Sequence, residues 1–193
     1  SGLIFGLGHF FIGLHWIYFP ITFDPEYEKW AIVLTVIFIT AMSLFYAIAA
    51  QLVEFLLRKR SLNNFFFIKV FVISIIFFLS EVLRSNLFGG FPWNLYSHMW
   101  ASDNKLISIT GIIGSHGLSF VTIYWIIVIS GLFKAKKFYA LCTSVFFPLT
   151  LFFITNSPEK NEVGKKVIVR IVQPNIPQEE KWDKKVINKN LNT

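Results

Sequence analysis

The sequence is short of cysteine, of charge and of recognisable catalytic signatures, and each shortage removes a class of protein. One cysteine, Cys142, admits no internal disulfide and no cysteine-built metal site. His9, His15, His98 and His116 are scattered without metal-ligand spacing, so no metal centre is expected and no cofactor is implied. Charged residues make up 15% of the chain, against roughly 25% in soluble domains. No phosphate-binding loop, dinucleotide fingerprint, zinc-protease helix or nucleophile elbow is present. The net charge of +7 does not gather in one patch but falls at the ends of apolar runs and in the tail. Membrane topology accounts for that distribution, and nucleic acid is not an expected partner. There is no initiator methionine, basic n-region or small-residue cleavage site before the apolar run that starts at Gly2. The expectation is a fragment whose beginning lies elsewhere.

Apolar residues, by contrast, are abundant: 54% of the chain, with 23 phenylalanines. They lie in runs of roughly 20 or more, the length that crosses a hydrocarbon core of about 30 Å. The expected fold is an α-helical polytopic membrane bundle over residues 1–155, with about five spans at 2–19, 30–57, 65–87, 106–133 and 138–155. Pro20 closes the first run, and Asp24, Glu26, Glu28 and Lys29 follow it. Arg58, Lys59 and Arg60 close the second, and Lys134, Lys136 and Lys137 separate the fourth from the fifth. The basic clusters occupy alternate loops. Lysine and arginine resist translocation, so the N-terminus is expected in the cytoplasm and everything beyond Asn156 on the far side.

Composition changes abruptly after Pro158. Residues 156–166 read as a solvated linker carrying Glu159, Lys160, Glu162, Lys165 and Lys166. Val167 to Val172 is β-branched and reads as a buried strand, ended by Pro174 and Pro177. Lys181 to Thr193 is expected to begin a helix. One strand and a helix stub cannot bury a core, so residues 167–193 are expected to be the truncated start of an extracytoplasmic α/β domain.

Few residues in the spans carry chemistry. Glu81 and Arg84 lie three apart on one face of the third span, near its outer end. They read either as an ion pair that neutralises two charges in lipid or as the lining of a headgroup or substrate cavity. Gly89 to Leu95, GGFPWNL, demands an irregular backbone, which a membrane tolerates only where protein or water covers it. Trp93 and Trp100 read as interfacial anchors. Gly111, Gly114, Ser115, Gly117 and Ser119 make one side of the fourth span small, which suggests close helix packing. Cys142 reads as an inert packing residue in hydrocarbon.

Together these segments resemble the apolipoprotein N-acyltransferase family, the bacterial enzymes that add a third acyl chain to lipoproteins. Gly2 to Trp16, GLIFGLGHFFIGLHW, is similar to a Gly-rich span of that family; Glu81, Arg84 and GGFPWNL resemble its E-x-x-R and G-F-P-W signature. GIIGSHGLSF (Gly111 to Phe120) resembles the segment that follows, and VRIVQPNIPQEEKWD (Val169 to Asp183) the opening of its nitrilase-like domain. The resemblance implies a bundle of about eight spans with that domain inserted before the last. It also implies a catalytic Glu, Lys and Cys that carry the acyl group through a thioester. The implied donor is membrane phospholipid, and the implied acceptor is the diacylglyceryl-cysteine of a lipoprotein in the bacterial inner membrane. The sequence stops at Thr193, so the catalytic trio is expected to lie outside it; Cys142 sits in the wrong segment to substitute. Trp182 of K-W-D is the residue the resemblance places near the acyl or substrate entrance, unless it is a core tryptophan of the nitrilase-like fold. Trp93, Glu81 and Arg84 are the candidates for a phospholipid-facing cleft.

Two functional readings follow: part of an acyltransferase, complemented if need be by a separately encoded C-terminal half, or a non-catalytic membrane remnant or assembly subunit. A transporter-like bundle is disfavoured because few charges lie deep in the spans and no pair of broken helices is evident. The topology is directly testable. A cysteine placed at Asn156 in a Cys142→Ser background should react with an impermeant maleimide from outside intact cells; reaction only after permeabilisation would overturn the charge-based orientation.

Overall fold

The computed structural model describes residues 1–58, 65–135, 137–154, 169–171 and 173. The chain is helical throughout its long elements: α1 (Gly2–Leu14), a 3-10 turn (His15–Ile17), α2 (Tyr18–Thr22), a 3-10 turn (Glu28–Trp30), α3 (Ala31–Leu57) and α4 (Phe66–Asn86). Two 3-10 turns (Leu87–Gly89, Tyr96–Trp100) and the short α5 (Asn104–Ile107) lead into α6 (Thr110–Ala135) and α7 (Lys137–Ile154). Among the described residues four stretches are long and apolar enough to cross a bilayer: Gly2–Thr22, Glu28–Leu57, Phe66–Asn86 and Thr110–Phe133. The shortest of them, at 21 residues, extends about 30 Å at ~1.5 Å per residue. This is a multi-pass membrane protein.

Where the structure departs from expectation, local chemistry explains it. The fifth expected span is a shorter apolar helix, Phe138–Phe153, and falls below the length of the other four. Residues 155–168 lie outside the described residues. The first run does not stop at Pro20, because Pro20 lies in the first turn of α2, where a missing N–H leaves no bond unmade. Residues 106–109 do not belong to the fourth span: Asp103 caps the start of the separate short α5 by accepting from the backbone N–H of Lys105 and Leu106, and that helix reaches its C-cap at Ser108 before α6 begins. Val169, Arg170 and Ile171, the described part of the expected strand, form no strand and are exposed. A β-branched run needs a neighbour to pair with. The linker 156–166, Trp182 and the expected helix start at Lys181 lie outside the described residues.

The chain divides into two units, Ser1–Leu14 with Ile39–Glu159, and His15–Phe38 with Lys160–Thr193. In the second unit, Asp24 organises the connection before α3: its Oδ1 accepts from Glu26 N at 2.9 Å, and its carbonyl accepts from Tyr27 and Glu28 N. In the first unit, α1 lies against α3 through small residues. A Cβ on Gly2 would stand 2.5 Å from Ala50 Cβ, and one on Gly6 would stand 3.0 Å from Ser43 Cα. Such close approach is how helices associate where lipid offers no hydrophobic drive. The α4–α6 contact is aromatic, with Phe78 and Phe120 rings 5.4 Å apart, edge to face. Between α6 and α7, Trp125 stacks on Phe147 at 5.0 Å and beside Trp100, around the buried Leu118 and Leu151.

The small side of the fourth span does a different job from the one expected. A Cβ at Gly111 or Gly114 would meet nothing within 4 Å, so neither glycine marks a helix contact. Gly114 instead takes φ 71°, ψ 167°, breaks α6 and restarts it at Ser115. The left-handed region is open to glycine without steric cost.

Gly6→Leu should destabilise the α1–α3 pair by about 1–3 kcal/mol, the usual cost of overfilling a close contact, whereas Gly8, whose Cβ would meet nothing within 4 Å, should accept leucine freely. SDS-induced unfolding in mixed micelles would measure both; equal midpoints for the two variants would contradict this packing.

Candidate functional site

The site is built where α4 ends. Its last turns bring Glu81 and Arg84 inward, to 4% and 3% exposure. Two ionisable groups so buried need partners, since an unpaired charge away from water is costly. The expected i,i+3 ion pair is not what satisfies them. Arg84 Nη1 donates to the carbonyls of Phe91 and Trp93, at 2.7 Å each. Its guanidinium also stands 5.2 Å over the Phe10 ring. Glu81 Oε2 accepts from the backbone N–H of Tyr96 at 2.8 Å. Both charges therefore read the backbone of the loop that follows them.

That loop needs them. Gly90, at φ 82°, turns the chain back against Ser85, and a Cβ there would overlap the Ser85 carbonyl. Phe91 N then donates to Arg84 O at 3.2 Å. Pro92 has no N–H to satisfy. Asn94 sits at φ 60°, the only left-handed non-glycine residue among those described. Its Nδ2 donates to His9 Nε2 at 3.1 Å. Leu95 N donates to His98 Nδ1 at 3.3 Å, and Ser97 N to Ser119 Oγ at 3.0 Å. The irregular backbone is thus met donor by donor and acceptor by acceptor, which is the condition for its existence beside a membrane.

Tyr96 and Tyr46 complete the cluster. Tyr96 stacks on the His9 imidazole at 5.7 Å and meets Tyr46 edge-on at 6.4 Å. Burial pushes the Tyr96 phenol above its ordinary pKa and the Glu81 carboxylate adds to the rise, while a hydrogen bond with Tyr46 and the Arg84 charge pull the other way. On the far side of Glu81, His116 Nδ1 lies 4.0 Å from Oε1, and both atoms are buried without a hydrogen-bond partner.

Two features of this region face outward. Trp93 is 55% exposed, its ring parallel to Phe91 at 6.5 Å. Beside the loop, α3 and α4 diverge to leave an apolar groove of about 900 Å³, lined by Phe45, Ile48, Leu52, Ile76, Leu83 and Leu87 among others. Ser80 Oγ, donating to Phe45 O at 3.0 Å, ties the two helices. The arrangement can bind an apolar chain beside a polar, hydrogen-bonding platform. Among the described residues no cluster of histidine, cysteine and carboxylate could hold a metal. Cys142 is half-buried on α7, outside this cluster.

The structure brings together three of the four residues singled out from the sequence, Glu81, Arg84 and Trp93; Trp182 lies outside the described residues. Trp100 is not an interfacial anchor. It is 7% exposed, and its indole N–H donates to Thr122 Oγ1 at 2.8 Å. Sequence reasoning missed His9, Asn94, Tyr96 and His116, which meet only through the fold. One signal was present: His9 and Gly13 lie one helical turn apart, a polar group and a gap on one face of an apolar helix.

The family model for the apolipoprotein N-acyltransferase N-terminal domain matches residues 1–128. The apolipoprotein N-acyltransferase of Rickettsia bellii is 30% identical over 98% of this chain and 38% of its own length. That of Brucella suis is 32% identical over 94% of the chain and 34% of its own length, and that of Wigglesworthia glossinidia is 30% identical over 98% and 37%. The chain therefore spans little more than a third of the curated relatives it matches. No solved structure matches it.

Arg84→Met should remove two charge-assisted hydrogen bonds to the loop, at about 1.5–3 kcal/mol each, and free the segment they anchor. The variant should unfold at lower SDS fraction and be cut by protease between Leu87 and Leu95. A methionine variant as stable and as resistant as the parent would show that the guanidinium does not hold this loop.

Proposed function

The chain belongs to the apolipoprotein N-acyltransferase family, and on that footing we propose that it forms the membrane part of an enzyme of lipoprotein maturation. That enzyme moves an acyl chain from membrane phospholipid to the N-terminal diacylglyceryl-cysteine of an apolipoprotein. The observation that carries the reading is the fixed loop that starts at the edge of the apolar groove: Arg84 and Glu81 hold residues 91–96 by their backbone, leaving Trp93 exposed, and Leu87, where the loop begins, lines the groove between α3 and α4. A lipid has the matching form, an apolar chain for the groove and a polar head for the platform. In this reading Trp93 contacts the lipid, and Glu81 and Arg84 build its support.

The protein would reside in the bacterial inner membrane, with the N-terminus cytoplasmic and the tail beyond Asn156 periplasmic, where lipoproteins mature. The fifth apolar helix, Phe138–Phe153, would be the crossing that delivers the tail there. Residues 167–193 would open a nitrilase-like domain, with Trp182 near the acyl entrance. The acyl-transfer chemistry would not lie in these residues, whose single thiol, Cys142, is on α7. A nucleophile needs a base beside it and donors for the developing oxyanion. These 193 residues are accordingly inactive by themselves, and a nucleophile carried elsewhere, on the same or a separately encoded polypeptide, completes the enzyme. The same thiol placement favours a second reading, a non-catalytic membrane or assembly subunit. It differs in one result: N-acylation would survive disruption of the lipid platform.

Trp93→Ala should lower N-acylation of a diacylated lipopeptide, assayed in membranes holding the complete enzyme, by about tenfold, equivalent to ~1.4 kcal/mol. Cys142→Ser should leave the rate unchanged. Full activity of the Trp93 variant would remove the lipid-contact reading, and loss of activity in the Cys142 variant would remove the assignment of the chemistry.

A further inference from the structure

The reading of Trp93 as a lipid contact leaves open what aims it. Arg84 fixes the Trp93 carbonyl, and the peptide that carries it enters the most strained non-glycine residue of the loop, whose own conformation the guanidinium does not set. Asn94 is left-handed at φ 60°, a conformation that non-glycine residues adopt uncommonly. It is met by α1, a helix more than 80 residues away in sequence.

Two residues of α1 act on Asn94 from one helical face. His9 Nε2 accepts from Asn94 Nδ2 at 3.1 Å, which sets the imidazole in the tautomer with its proton on Nδ1. One turn later, Gly13 offers the space the amide occupies: a Cβ there would overlap Asn94 Nδ2. The imidazole is itself immobilised, stacked on Tyr96 at 5.7 Å and met edge-on by Tyr46 at 5.4 Å and Phe10 at 5.0 Å. A ring wedged on three sides is a fixed acceptor, so the side chain that bonds to it has one place to be.

We propose that His9 and Gly13 are positioning residues for Trp93: α1 holds Asn94 in its left-handed conformation through an acceptor and a gap, and so sets the direction in which the Trp93 indole leaves the loop. The glycine-rich character of the first span thereby has two parts. Gly2 and Gly6 bring α1 against α3, and Gly13 admits the loop. The pairing also explains why residue 94 is an asparagine: its amide supplies the donor, and its tolerance of the left-handed region lowers the cost.

The test is ¹⁹F NMR of the protein in micelles, labelled with 5-fluorotryptophan, with the Trp93 line assigned through Trp93→Phe. His9→Leu and Gly13→Ala should each shift the Trp93 line and change its broadening by a lipid-borne nitroxide. The Trp100 and Trp125 lines, which report the α6–α7 core, should stay in place. His9→Gln, which places an amide where Nε2 was, should restore the parent Trp93 line. In an Asn94→Gly background, where the backbone needs no support, His9→Leu should have no further effect. An unmoved Trp93 line in His9→Leu and Gly13→Ala would overturn the proposal. So would tryptophan lines that all move together, or a failure of His9→Gln to restore. If these lines behave as expected while Trp93→Ala leaves acylation intact, the positioning stands and the lipid-contact reading alone falls.

Discussion

A peptide group that leaves the helical ladder beside a bilayer has no water to turn to, and the structure follows from how one guanidinium meets that demand. Arg84 donates to two carbonyls of the loop that begins three residues after its own helix ends. The exchange is mutual. The arginine fixes the carbonyls in place and, 3% exposed, would be an intolerable charge without them. Glu81 repeats the arrangement with opposite polarity, accepting from Tyr96 N. With both ends of the loop held this way, the residues between them turn sharply, and one large side chain, Trp93, projects from a rigid base.

The rest of the bundle keeps polarity away from lipid by a simpler device. Ser43, Ser74, Thr122 and Ser130 each return their hydroxyl to the carbonyl four residues earlier. That leaves a small, silent surface suited to helix contact. Against this background the unsatisfied buried atoms are informative by location. Glu81 Oε1, Arg84 Nη2, Ser97 Oγ and His116 Nδ1 all belong to the loop and the elements that touch it. The kink at Gly114 contributes, since the helix that restarts at Ser115 carries His116 to within 4.0 Å of Glu81. Polar capacity is concentrated at one place in an otherwise self-satisfied membrane protein, and binding is the ordinary use of such a place.

The spans were legible because their signal is additive over some twenty residues: α3 runs Ala31–Leu57 where the composition placed 30–57, and α4 departs from expectation by a residue at each end. What escaped depends on single contacts. Pro20 read as a stop because proline usually is one, yet its place in the first turn of α2 removed the penalty. Gly111 and Gly114 read as packing residues because small residues usually pack, yet one position needed a positive φ instead. Trp100 read as an anchor, but Thr122 offered its indole a partner inside. Glu81 and Arg84 were found by their cost in lipid, a property of the residue type; their partners, three backbone groups between Phe91 and Tyr96, exist only once the loop has folded and leave no trace in composition. His9 and Asn94 were invisible for the same reason. Each is unremarkable alone, and the pair spans α1 and the loop.

These contacts bear on how labour divides in an enzyme of this family. A nucleophile requires a base and oxyanion donors within hydrogen-bond reach, whereas three of the polar groups gathered here hold the loop: Arg84 two carbonyls, Glu81 one N–H and His9 the Asn94 side-chain amide. Groups so engaged cannot also move protons without releasing the loop. What such a cluster does well is hold shape, and the shape it holds is a fixed loop with an exposed tryptophan. Rigidity of that kind lowers the entropy lost when a flexible ligand is ordered against it. It is therefore consistent that the one thiol lies elsewhere, on α7. Under the proposed function the membrane residues present a lipid, and whatever acts on that lipid is brought to them.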